Sequence, residues 1–126
     1  NWKHYTTICP PAPTERLALA ALRAHQQLVE RSRATVAANL RLAESFFARH
    51  ATRFGWRPPR AGSVALVGLD VPSATGYCHT LAQEAGVLLL PGPCLGADDH
   101  SVRFGFGRAG FAAALAKYED YLEKNE

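Results

Sequence analysis

A tract of helix-favouring residues from about Thr14 to His50 constrains the fold of this 126-residue chain more than any other feature. As one helix it would be about 55 Å long at 1.5 Å per residue, which is too long for a domain of this size. We therefore expect a break near residues 25–27, giving a short helix and a long one. In the long helix, apolar residues recur at the spacing of a helix that packs on a core. These residues are Val29, Val36, Leu40, Ala43 and Phe47.

The tract is preceded by a proline-rich segment, residues 1–13, which we expect to be an extended strap. Thr14 is the predicted N-cap of the first helix, because a threonine side chain can accept a hydrogen bond from the first turn. Glu15 then lies where negative charge suits the helix dipole. The sequence therefore predicts a structured region over residues 14–126.

Strand and helix patterns alternate in the second half of the chain. The segment SVALVGLD, residues 63–70, is predicted to be a buried strand because it is rich in β-branched residues and bounded by turns. Shorter extended segments are predicted at 54–60, 87–90 and 101–106. A helix from Pro72 is expected to stop at Gly86, and the last helix to cover Phe111 to Lys124. This order predicts an α+β fold with a small, three- to four-stranded, largely antiparallel sheet covered by helices.

Composition narrows the class of protein. Hydrophobic residues make up 48% and charged residues 20% of the chain, as in an ordinary globular domain. The net charge is +3, and the arginines are scattered, so we expect a solvated surface and no nucleic-acid interface. No apolar run approaches the roughly 20 residues of a membrane span, and no signal peptide is recognised. Three cysteines, Cys9, Cys78 and Cys94, favour free thiols and a cytoplasmic location.

The most informative candidate for a binding residue is Arg103, in the strand-like run SVRFGFG at 101–107. A guanidinium flanked by apolar residues, if buried, needs a carboxylate or phosphate partner. One interpretation is a salt bridge to Asp98 or Asp99 within the chain. The other is an anionic ligand, and the residues alone leave the two open. Arg108 is expected to face solvent or to lie at the helix start.

Two other kinds of site are disfavoured by spacing. Residues 105–110, GFGRAG, match the dinucleotide-binding pattern, but the chain lacks the second parallel strand and the acidic residue that the pattern requires. The five histidines are dispersed, and no pair has metal-ligand spacing. We therefore predict a structural turn at 105–110 and no metal site.

Several motifs in one order resemble the C-terminal small domain of PLP-dependent aminotransferases of fold type I, classes I and II. They are the opening WKHYTTIC, the pair Asn39-Leu40, the turn at Gly62, the loop at Pro91-Gly92 and, as the strongest match, RFGFGR at 103–108. In that family the last strand supplies an arginine that binds the substrate's α-carboxylate, so the resemblance assigns this role to Arg103. Leu95 stands where the family often has an aromatic residue.

The resemblance also implies what this chain lacks. The family binds pyridoxal 5'-phosphate (PLP) through a lysine Schiff base and an acidic partner of the pyridine nitrogen. Lys3, Lys117 and Lys124 are the only lysines, and none lies in the family's serine-lysine motif. We therefore expect no catalytic and no cofactor-binding residue within residues 1–126. The cofactor would be held by a large domain upstream of Asn1, of which residues 1–13 are the connecting strap, and the chain alone would be inactive.

The resemblance implies that the full-length protein is a homodimeric aminotransferase. It would move an amino group between an amino acid and a 2-oxo acid. Two alternatives remain at this point. One is a free-standing α+β ligand-binding or interaction module in which Arg103 binds another anion. The other is a lyase or cyclase of the same fold type, because a small domain does not determine the reaction.

Overall fold

The computed structural model describes residues 10–125, and the chain divides into two compact units between Arg33 and Ala34. The first unit contains helix α1, Ala12–Arg23, and the beginning of helix α2, His25–Arg49. Ala24 separates the two helices, which confirms the predicted break within one residue. No residue of α1 is buried.

Helix α1 begins earlier than predicted. Pro11 is its N-cap, so Thr14 lies within the first turn and is not the cap. Pro13 suits the first turn because its ring fixes φ near the helical value and no intrahelical N–H is needed from it there. The prediction that Val29 packs on the core is also wrong, because Val29 is 50% exposed and does not belong to the core. Predictions for residues 1–9 lie outside the described residues.

The second unit contains a four-stranded antiparallel sheet in the order β1-β2-β4-β3. Its strands are β1 (Phe54–Gly55), β2 (Val64–Leu69), β3 (Leu90–Pro91) and β4 (Ser101–Gly105). Strands β2 and β4 are paired over five residues and form the centre. Side chains alternate between the two faces of a strand, so Val67, Val102 and Phe104 share one face.

That face is covered by the later part of α2, by α3 (Ala74–Ala85) and by α4 (Phe111–Lys124). Ser73 caps α3 by accepting a hydrogen bond from Gly76, and Gly86 ends it with a left-handed φ of 64°. Aromatic rings dominate the interior, where they contact one another edge to face or tilted. They include Phe46, Phe47, Phe54, Phe104, Phe106 and Tyr118.

The predicted α+β fold is confirmed, with two corrections to its strands. Residues 63–70 are not buried throughout: Val64 and Leu66 are about half exposed, because only one face of β2 meets the helices. The strand predicted at 87–90 is only Leu90–Pro91. Leu88 is 86% exposed, so the apolar run before the proline does not form a core strand.

Candidate functional site

Arg103 lies on the sheet face that the helices of the second unit leave uncovered. Its neighbours Val102 and Phe104 are buried on the opposite face, and Arg103 itself is exposed. The guanidinium is therefore not buried although both neighbours are, because successive side chains of a strand point to opposite faces. In register, Arg103 lies between Leu66 of β2 and Leu90 of β3.

The two aspartates considered as partners for Arg103 are engaged elsewhere. Asp98 accepts a hydrogen bond from the backbone N–H of His100. Asp99 accepts hydrogen bonds from Ser73 and Thr75 at the start of α3, at 2.6 to 2.8 Å. Within residues 10–125, the side chain of Arg103 forms no hydrogen bond or ion pair. Its guanidinium keeps all five N–H donors available to a ligand.

A groove of about 850 Å³ contains Arg103 in its wall. It opens because β3 pairs with β4 only at Leu90 and Pro91, which leaves the edge of β4 beyond Arg103 without a partner strand. The wall opposite β4 is formed by the turn before α4 and by the start of that helix. The lining residues are Gly86 to Leu90, Arg103 to Gly105, Arg108 to Phe111, Ala114, Leu115 and Tyr118.

The electrostatic character of this groove is cationic. Arg103 and Arg108 both line it, and no aspartate or glutamate does. Tyr118 also lines the groove, and its hydroxyl oxygen accepts a hydrogen bond from the Tyr77 hydroxyl at 3.0 Å. Burial raises the pKa of Tyr118 far above its usual value, so this side chain stays neutral at physiological pH. The groove is therefore suited to an anion with an apolar part.

The turn between β4 and α4 is held by a residue whose role the sequence did not reveal. Asn39 is buried in α2, and its amide nitrogen donates hydrogen bonds to the carbonyl oxygens of Phe106 and Arg108, both at 2.8 Å. One signal in the sequence could have indicated this role: Asn39 lies on the core-facing side of a helix. Asparagine is a poor helix former and needs hydrogen-bond partners when it is buried. The side chain of Arg108 is exposed, while its carbonyl is bound.

The loop at Pro91-Gly92 lies beside the other end of β4. Gly92 starts a 3₁₀ helix, Gly92–Leu95, and is buried. A Cβ at Gly92 would clash with the Asp98 carbonyl and the Ser101 hydroxyl, so only glycine fits. Leu95 is 49% exposed and does not line the groove.

A second, smaller cavity of about 290 Å³ is polar and lies away from the groove. It is lined by Arg49, His50, Thr52, Arg53 and Asp70. Glu119 already binds Arg49 through two hydrogen bonds of 2.7 and 2.9 Å. The carboxylates of Asp70 and Glu119 balance the positive charge of the arginines that line this cavity. It is therefore a weaker candidate for an anion site.

The two lysines among the described residues lie outside the groove. Lys117 and Lys124 are exposed on α4, and neither lines the groove. A Schiff base with the cofactor would need a lysine facing the ligand. Within the described part of the chain, no group of three His, Cys, Asp or Glu residues could hold a metal ion. No helix in this part is long and apolar enough to span a membrane.

Comparison with solved structures gives close structural matches. A PLP-dependent aminotransferase from Streptococcus suis 89-1591 matches with a TM-score of 0.85 and 27% identity over 99% of this chain. The PLP-dependent cyclase OrfR matches with a TM-score of 0.86 and 26% identity, also over 99%. Aspartate aminotransferase from Thermotoga maritima, at 20% identity and a TM-score of 0.76, shares the fold. No protein-family model and no curated protein matches the chain.

This chain spans about a third of the length of these proteins, 34% for the first and 35% for the second. It therefore corresponds to one domain of each. The chain is a small domain of the PLP-dependent aminotransferase fold, because these structures match nearly all of its length and share its order of elements and its antiparallel sheet. The resemblance seen in the sequence is confirmed.

Proposed function

We propose that this chain is the C-terminal small domain of a PLP-dependent aminotransferase, with residues 14–126 as the domain and residues 1–13 as the strap from a large domain. The enzyme transfers an amino group between an amino acid and a 2-oxo acid. Its PLP is bound by residues outside this chain, and so is the lysine that forms the Schiff base. The chain alone is inactive.

The observation that carries this proposal is the environment of Arg103. Its guanidinium is exposed on the uncovered sheet face, has no partner within residues 10–125 and lines a groove without acidic residues. A guanidinium binds a carboxylate through two parallel hydrogen bonds, which fixes both position and orientation. By holding the α-carboxylate, Arg103 orients the amino acid for reaction at its Cα, which lowers the barrier by positioning.

The test uses the full-length protein that contains this chain. The probe is the amino acid that reacts fastest with the bound cofactor among the twenty proteinogenic L-amino acids. Arg103→Ala is expected to lower kcat/KM by about 10²–10³-fold, or roughly 3–4 kcal/mol, while PLP stays bound. Arg103→Lys should restore little, because an ammonium group lacks the fork of donors.

Two controls separate carboxylate binding from general damage. Arg108→Ala removes the other arginine of the groove and should change kcat/KM by less than about tenfold. The amine that corresponds to the probe amino acid without its carboxylate should react equally with wild type and Arg103→Ala. Equal losses at both arginines, or an equal loss with the amine, would remove the reason for placing Arg103 at the substrate.

A second candidate function is a cyclase, which the match to the cyclase OrfR favours. Arg103 would then hold the carboxylate of an amino acid that closes a ring on itself. The two reactions differ in their need for a second substrate. Turnover that requires a 2-oxo acid and yields a new amino acid supports the aminotransferase, and turnover without an acceptor supports the cyclase.

We also propose a cytoplasmic homodimer that binds neither nucleic acid nor membranes. Both described cysteines, Cys78 and Cys94, are free thiols, as is usual in a reducing compartment. Sedimentation of the full-length protein measures its oligomeric state directly.

A further inference from the structure

Asn39 makes the only side-chain hydrogen bonds, among the described residues, from α2 to the segment that joins β4 and α4. Its amide nitrogen uses both N–H groups, one for the carbonyl of Phe106 and one for the carbonyl of Arg108. These two carbonyls flank Gly107. The residue is 7% exposed; its bond to Phe106 is buried, and its bond to Arg108 is partly buried.

The segment held by Asn39 is also bound from two other directions. The Phe106 N–H donates to the Ser63 carbonyl at 2.7 Å, which ties the end of β4 to the start of β2. The Phe111 N–H donates to the Arg108 carbonyl at 3.2 Å, which starts α4. Gly110 gives α4 no side-chain cap, and the Arg108 carbonyl accepts a hydrogen bond from the first N–H of this helix.

These contacts connect Asn39 to both walls of the groove. One wall is β4, with Arg103 three residues before Phe106. The other is the segment Arg108 to Phe111. Asn39 thus binds the carbonyl of the residue that follows β4 and a carbonyl of the segment Arg108 to Phe111. A shift of about 1 Å in a positioning group is enough to lower a reaction rate by as much as 10²-fold.

We propose that Asn39 is a positioning residue for the amino acid carboxylate: it fixes the β4–α4 junction and, through it, the site at which Arg103 holds the substrate. This inference rests on the proposed function of Arg103 and assigns Asn39 no contact with the substrate. An asparagine is required rather than an aspartate, because two carbonyl oxygens need two donors and a carboxylate provides none.

The test is a double-mutant cycle in the full-length enzyme, with the probe amino acid defined above and its decarboxylated amine. Asn39→Ala is expected to lower kcat/KM for the amino acid by about tenfold or more, chiefly through KM, and to leave the amine unaffected. Asn39→Asp should lose at least as much. In the Arg103→Ala background, Asn39→Ala should cause less than about twofold further loss, because both changes remove the same interaction.

A matched control tests whether lost stability alone causes the effect. Leu81→Val removes a methylene from a fully buried residue of α3 that does not line the groove. It should lower the melting temperature and leave kcat/KM for the amino acid unchanged. If Asn39→Ala is not recovered folded, Asn39→Ser replaces it, since a single hydroxyl can hold at most one of the two carbonyls.

The outcomes separate this inference from the function on which it rests. If folded Asn39→Ala or Asn39→Ser has the kcat/KM of wild type while Arg103→Ala is impaired, the positioning role of Asn39 is overturned. The carboxylate-binding role of Arg103 then still stands. Additive losses in the cycle, or equal losses with the amine, also overturn it. If Arg103→Ala itself has full activity, the proposed function fails first.

Discussion

At the scale of single residues, Asp99 shows how a side chain considered as a salt-bridge partner of Arg103 serves the fold instead. Its carboxylate accepts hydrogen bonds from Ser73 and Thr75, and its carbonyl accepts one from the Ala74 N–H at 2.7 Å. Hydrogen bonds from Ser73 and Thr75 lower the pKa of Asp99 below its usual range. The loop before β4 is thereby attached to the start of α3.

Removing this charge should weaken the fold in a pH-dependent way. Because the folded pKa of Asp99 is depressed, its stabilisation is present above the unfolded value of about 3.9 and is lost as pH falls through the folded value. Asp99→Asn should therefore lower the melting temperature at pH 7, and the difference from wild type should shrink below about pH 4. Circular dichroism melts between pH 3 and pH 7 measure this difference. Asp120→Asn, an exposed carboxylate on α4, is the control, and an equal effect there would contradict the assignment.

At the scale of elements, the loop that starts with Gly92 determines where β3 ends and β4 begins. Gly92→Ala should destabilise the chain by about 1–3 kcal/mol, because the added methyl meets the backbone of Asp98 and the Ser101 hydroxyl, and a backbone carbonyl cannot rotate away. Gly107→Ala is the matched control, since its Cβ would make only an ordinary contact, 3.8 Å from the Ser63 Cβ. Denaturant unfolding of both variants measures the effect. Equal stability of the two would show that the loop relaxes.

Elements were predictable from sequence where a local signal marks their ends. Gly86 ends α3 in a left-handed conformation, and α4 covers Phe111–Lys124, both as predicted. The prediction failed where two local signals compete and where pairing with a distant strand decides the outcome. Thr14 is a good capping residue, but Pro11 and Pro13 start the helix earlier. Residues 87–90 have strand-like composition, yet only Leu90 finds a partner in β4.

The candidate site was predictable only in part, because its geometry depends on contacts between residues that are far apart in the sequence. The RFGFGR motif directed attention to Arg103, but its exposure follows from which face of β4 the helices cover. Asn39 is 67 residues from Phe106 in the sequence, and no local pattern indicates which carbonyls its amide reaches. The groove itself exists because β3 is too short to cover the edge of β4.

At the scale of the whole molecule, apolar surface remains uncovered on each compact unit taken by itself. In the first unit, Leu17 and Leu22 of α1 are 72% and 69% exposed. In the second, Val64 and Leu66 are each about half exposed on the sheet face that carries Arg103. Exposed large apolar side chains on several elements of a domain favour an interface with another protein region. The proposed large domain would supply that region, since the structural matches are about three times as long as this chain.

The isolated chain of 126 residues should therefore self-associate. Its sedimentation coefficient is expected to rise with protein concentration, because association removes the exposed leucines of α1 from water at roughly 25 cal/mol per Å². Leu17→Glu and Leu22→Glu should each weaken this association, since a carboxylate must be desolvated at the interface. Arg16→Gln changes the net charge by the same amount on the polar side of α1 and should leave association unchanged. Monomeric behaviour of the wild-type chain at high concentration, or equal effects of Arg16→Gln and Leu17→Glu, would show that this surface is not an interface.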